Sequence, residues 1–133
     1  MIRDPKTAIE KPDALAHFHQ RQGYNCAQAV LKAFAARAGF DEACIGAFSR
    51  FGGGRAPDGE CGALFAAKSL FRDRAAQQAI ENIFVRAAGD ATCRAIRKGK
   101  TFTCGQCVQT AADAVLAQLE NGCVLQRPAE CGR

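Results

Sequence analysis

The chain has no tryptophan, one tyrosine, one methionine and two histidines in 133 residues. Valine, isoleucine and threonine are sparse and alanine is abundant. The β-branched alternation that strands need is therefore missing, and helix is favoured over strand. No apolar run approaches the roughly 18 residues that would span a bilayer. The first stretch, Met1 to Lys11, is charged and lacks an apolar segment. Neither a membrane span nor a secretory leader is expected, and the sequence reads as cytoplasmic. The basic residues are spread out, apart from Arg94, Arg97, Lys98 and Lys100. No aromatic residues are interleaved with those four, so the net charge of +5 reads as a solvated basic face and no nucleic-acid partner is expected. His17 and His19 stand two apart and so fall on different faces of a helix, whereas joint metal ligands want i,i+4 spacing. Both lie early in the chain, so a hydrolase of the cysteine–histidine type is disfavoured.

What the chain does have is cysteine and glycine, eight and thirteen residues respectively. In a reducing compartment, eight cysteines point to metal binding or redox chemistry rather than to a disulfide scaffold. The length and an apolar content of 48% suit a single domain over residues 1–133, with one core. Residues 1–11 read as a loose lead-in, and 121–133 as an irregular tail.

Helix punctuation is legible along the chain. Pro12 opens a short helix over 13–22 that Gly23 closes. Asn25 is a good N-cap for a second helix, with Cys26 first in it, Ala27, Val30, Leu31 and Phe34 on its apolar face, and Gly39 at its end. Asp41 caps a short third helix whose Cys44, Ile45 and Phe48 share one face, so Cys44 reads as a core residue. A further helix is expected from about Asp73 to Ala88, with Ile80, Ile83, Phe84 and Ala87 inward and Gly89 at its end. Asp90 is a candidate cap for a helix carrying Cys93 and Ile96. Thr103 caps a last helix, with Cys104 first and Val108, Ala111, Ala112, Val115, Leu116 and Leu119 as its stripe. The fold class is all-α: a compact bundle of five to six short helices.

The stretch Phe51-Gly52-Gly53-Gly54-Arg55-Ala56-Pro57-Asp58-Gly59-Glu60-Cys61-Gly62-Ala63 organises the rest. It is a glycine-rich loop feeding a helix that carries Cys61 in its first turn. Unpaired N–H groups and the positive helix end favour a thiolate there, so the pKa of Cys61 is expected below that of a free cysteine. Gly52, Gly53 and Gly54 would let backbone N–H groups approach a bound group. A phosphate loop is rejected: Gly54 to Cys61 has the GxxxxG spacing, but Glu60 replaces the lysine and Cys61 the serine or threonine.

Cys26, Cys61, Cys93 and Cys104 share one setting, each at an expected helix start. Brought together, they would hold a soft metal or an iron–sulfur cluster, or cycle between dithiol and disulfide. Cys104 and Cys107 also form a CxxC, so Cys61, Cys104 and Cys107 are candidate reactive thiols. The ferredoxin run C-x₂-C-x₂-C-x₃-C is absent.

These residues resemble the C_GCAxxG_C_C family of small prokaryotic proteins described as redox-active. The shared features are Gly23-Tyr24-Asn25-Cys26-Ala27-Gln28-Ala29-Val30, Phe51-Gly52-Gly53-Gly54, Gly59-Glu60-Cys61-Gly62-Ala63, Cys93-Arg94, and Cys104 with Val108, Ala111 and Ala112. The resemblance covers most of 12–120 and implies Cys26, Cys61, Cys93 and Cys104 as the key cysteines. The chain departs from the family at Ala66, which replaces the last glycine of CGAxxG. It departs also at Cys107, where the family is usually apolar or aromatic, and in the additional Cys44, Cys123 and Cys131. The functional expectation is a redox-active cysteine protein with an iron–sulfur cluster or other thiolate-bound metal and a redox partner protein. The alternatives are a metal-free thiol–disulfide protein and a helical interaction module with structural cysteines.

Overall fold

The computed structural model describes residues 24–51, 55–99 and 102–129. The lead-in, the helix expected over 13–22 with His17 and His19, the glycines Gly52, Gly53 and Gly54, and Cys131 lie outside the described residues. Six α-helices make up most of what is described: α1 (Cys26–Ala38), α2 (Glu42–Ala47), α3 (Gly62–Ser69), α4 (Arg74–Ala88), α5 (Cys93–Gly99) and α6 (Cys104–Glu120). Short 3₁₀ turns at Phe48–Phe51 and Pro57–Gly59 lead from α2 towards α3. Among the described residues the only extended pairing is one isolated antiparallel bridge, Glu60 with Thr92.

The caps explain where the helices start. The Asn25 side chain accepts from the Gln28 N–H while the Gln28 side chain accepts from the Asn25 N–H, a reciprocal capping box. Thr103 and Gln106 repeat that box at α6. Asp41 caps α2 and Asp73 caps α4. The start of α5 corrects the expectation. The Asp90 carboxylate accepts from the Ala91 and Thr92 N–H groups and so shapes the turn before the helix. The Thr92 hydroxyl accepts from the Ala95 N–H and does the capping. At the far end of α4, Gly89 takes φ +94°, a left-handed cap that a side chain would disfavour.

The core fills the space between α1, α3, α4 and α6. Val30, Leu31 and Phe34 of α1, Leu64 of α3, Ile80 and Phe84 of α4, and Val108 and Val115 of α6 are all fully buried in one core. The stripe of α4 is Ala76, Ile80, Phe84 and Ala88. Ala87, expected inward, is exposed and Ala88 takes its place, one step of 100° round the helix. The tail is irregular to Ala129 but tied down: the Gln126 N–H donates to the Leu70 carbonyl at 2.7 Å, and Pro128 is buried. No helix of the described residues is long and apolar enough to cross a membrane.

Candidate functional site: a cavity lined by five thiols

Cys26, Cys93 and Cys104 are the first residues of α1, α5 and α6, and Cys61 is the N-cap of α3. Helix packing brings these four starts to one place. Cys26, Cys61, Cys93, Cys104 and Cys107 line a single cavity of about 160 Å³, with Ile96 and Phe102 as its apolar walls and Arg97 at its side. Cys107 follows Cys104 by one helical turn, which puts both on the same face of α6. All five of the expected cysteines are therefore together, and the fifth lies deep, as buried as Cys61. Cys26 and Cys93 are half-buried and Cys104 is exposed.

The close approach of α3 to α1 requires Gly62. A Cβ there would stand 2.5 Å from the Phe51 carbonyl oxygen and 3.0 Å from Cys26 Sγ. The bare glycine lets the start of α3 settle onto that of α1 and sets the sulfur of Cys26 near that of Cys61. From the other side, the Cys61 N–H donates to the Ala91 carbonyl at 2.8 Å, next to the Glu60–Thr92 bridge. This ties the residue before α3 to the turn before α5, and so Cys61 to Cys93.

The thiols hydrogen-bond to one another. Cys61 is bonded to both Cys107 and Cys26. Its bond to Cys107, together with burial and the charge Cys107 would carry, pushes the Cys61 thiol up to about 12, while the bond with Cys26 pulls the other way. This corrects the expectation of a depressed pKa at a helix start. The dipole argument treats the sulfur as alone, whereas this one is buried and lies against the sulfurs of Cys107 and Cys26. Cys93 is also raised, mainly by burial, with Arg97 opposing and the charges of Cys104 and Cys26 adding to the rise. The Arg97 guanidinium is held above its ordinary value by the charge of Cys93 and by a hydrogen bond to Cys104.

The remaining cysteines stand apart. Cys44 is buried as expected, but it is disulfide-bonded rather than a free thiol. Cys123 is a half-buried thiol beyond the end of α6 and does not line the cavity. Among the described residues, no three histidine, cysteine, aspartate or glutamate side chains are disposed to hold one metal ion. The five thiols therefore do not make a ready-made mononuclear centre in this arrangement.

Three features of the site escaped the sequence. Gly62 was read only as part of the cysteine motif, although glycine directly after Cys61 was its signal. Phe102 and Ile96 close the cavity and carried no signal. Glu60 faces away from the thiols into a larger cavity of about 640 Å³, where it pairs with Lys68 at 2.6 Å, and Lys68 also meets Glu81 at 2.8 Å.

No protein-family model matches the chain, and neither a curated protein nor a solved structure matches it.

Proposed function

We propose that this chain is a redox-active cysteine protein that works by thiol–disulfide exchange among Cys26, Cys61, Cys93, Cys104 and Cys107. The observation that carries the reading is the convergence of five thiols from four helix starts on one cavity, with Cys61 in direct hydrogen-bond contact with two of them. Structural cysteines have no reason to share one small space or to gather at helix starts. The motifs around Cys26, Cys61, Cys93 and Cys104 support the same reading through the family they resemble. The test is to equilibrate the protein, purified without oxygen, in a series of glutathione buffers, then alkylate it and map the thiols by mass spectrometry. The expected result is a reversible two-electron transition with a disulfide among these five. Thiols that all stay reduced across the whole series would overturn the proposal.

A second reading is favoured by the cavity itself. Thiols on several sides of about 160 Å³, next to positive helix ends, suit an iron–sulfur cluster, which is larger than one ion and carries negative charge. Cys26, Cys61, Cys93 and Cys104 would be its ligands, and it would supply one-electron transfer when bound. Iron and acid-labile sulfide in the same anaerobic sample, lost in Cys61→Ser, would establish this reading over the first.

A further inference from the structure

The five thiols are not equivalent, and their differences give the exchange a direction. Cys104 is the exposed member and Cys107 is buried one turn behind it on α6. The Arg97 guanidinium lines the cavity and bonds to the Cys104 sulfur, and the exposed Arg94 and Lys98 on the same helix make α5 a basic rim. Within a helix, Cβ atoms at i and i+3 lie about 5–6 Å apart, and a disulfide asks for roughly 3.5–4.5 Å. The difference is small and falls in the first turn of α6, where the N–H groups of Cys104 and Gly105 have no helix carbonyl to bond. Cys61, as buried as Cys107, lines the same cavity and interacts with it from the inner side.

We infer that Cys104 is the attacking thiol, Cys107 the resolving thiol and Arg97 a positioning residue, and that the substrate is a disulfide flanked by carboxylates. The inference rests on the thiol–disulfide reading above. In the first step the Cys104 sulfur attacks one sulfur of the substrate R–S–S–R. The substrate S–S bond breaks, a mixed disulfide forms on Cys104, and one R–SH leaves with the proton that Cys104 gives up. In the second step the Cys107 sulfur attacks Cys104, the mixed disulfide breaks, and the second R–SH leaves with the Cys107 proton. The protein dithiol is oxidised by two electrons and the substrate disulfide is reduced by two. The basic rim selects for negative charge around that disulfide, whether it belongs to a small peptide or to an acidic protein segment.

The experiment uses two small disulfides of opposite charge, glutathione disulfide and cystamine, with the fully reduced chain. In Cys107→Ser the expected product is one glutathionyl adduct that stays on Cys104, and Cys107→Ala gives the same readout should serine disturb the buried site. In Cys104→Ser the fast reaction is lost. The parent reacts with glutathione disulfide faster than with cystamine at low salt, by about three-fold or more, and the preference shrinks as salt screens it. Arg97→Gln reduces that preference and Arg97→Lys restores part of it, a pattern that a purely structural role for Arg97 would not produce. An adduct that accumulates on Cys26 or Cys93 instead, or a charge preference unchanged in Arg97→Gln, would overturn the inference and leave the redox reading standing. Failure of every thiol to react with either disulfide would remove both.

A surface of the protein that accepts acidic protein disulfides would show itself by one further arm. A thiol-trapped Cys107→Ser column, challenged with a synthetic acidic peptide disulfide and its lysine-substituted counterpart, is expected to retain the acidic peptide. Equal retention of the two would refute the selectivity assigned to the rim.

Discussion

Gly62 is the residue on which the geometry of the thiol site turns, and replacing it by alanine tests that geometry directly. The added Cβ would sit 2.5 Å from the Phe51 carbonyl oxygen, nearly 1 Å inside ordinary van der Waals contact, and 3.0 Å from Cys26 Sγ. The first neighbour is backbone and the second is a buried-side sulfur, so neither can swing away freely. Either the start of α3 lifts off α1 or the 3₁₀ turn at Phe48–Phe51 moves. Overpacking of this kind costs about 1–3 kcal/mol. Alanine recovers up to about 1 kcal/mol as a better helix former. The net expectation is a loss of about 1–2 kcal/mol, or roughly 4–8 °C in melting temperature for a domain of this size.

The control is Gly46→Ala. Gly46 lies within α2, exposed, with nothing within 4 Å of an added Cβ. The same substitution there is expected to stabilise by about 0.5–1 kcal/mol. Urea denaturation of both variants, reduced and at one pH, measures the difference. If Gly62→Ala loses less than about 0.5 kcal/mol, or the two variants move in the same direction, the close approach of α3 and α1 is not what holds Cys26 beside Cys61.

Two other perturbations follow from the same structure. Asn25→Ala removes the α1 cap and also two hydrogen bonds that the side-chain amide donates, to the Phe48 carbonyl at 3.3 Å and the Ser49 carbonyl at 3.0 Å; it is expected to cost about 2–3 kcal/mol in chemical denaturation, against about 1 kcal/mol for Thr103→Ala, which removes a cap alone, and equal losses would mean that the amide does not tie α1 to that turn. Lys68→Met leaves Glu60, whose side chain is 14% exposed, without its 2.6 Å partner, at a cost of about 1–3 kcal/mol after allowance for partial exposure. Burial already raises the Glu60 pKa above its ordinary 4.5, with Lys68 opposing the rise. Its contribution is therefore fully present below 4.5 and is lost as pH climbs through the folded value. Removing Lys68 raises that value further, so the deficit of the variant should grow from pH 4.5 to pH 8. A deficit that does not depend on pH would show that the lysine acts through packing.

The helix starts were legible because capping is local chemistry. Asn25, Asp41, Asp73 and Thr103 each stand directly before the helix they cap, and each side chain bonds within three residues of itself. At α5 two good capping residues lie close together: Asp90 takes the N–H groups of Ala91 and Thr92, and Thr92, directly before Cys93, takes that of Ala95. Residue preference alone does not choose between them. Ala87 and Ala88 illustrate the same limit, since identical side chains give periodicity nothing to distinguish and the packing of α4 on α6 decides. The common setting of Cys26, Cys61, Cys93 and Cys104 was readable; their meeting in one cavity was not, because it depends on helix crossings and on the missing side chain of Gly62.

The misjudged acidity of Cys61 shows what such a meeting changes. A sulfur alone at a helix start feels the positive end of one dipole and ionises more easily. Here the starts of α1, α3, α5 and α6 surround one small apolar-walled space. Like-signed helix ends repel in so dry a place, and a negative charge among them is favourable, but several buried negative charges are not. The interaction with Cys107 and burial push the Cys61 thiol up to about 12, with Cys26 opposing the rise.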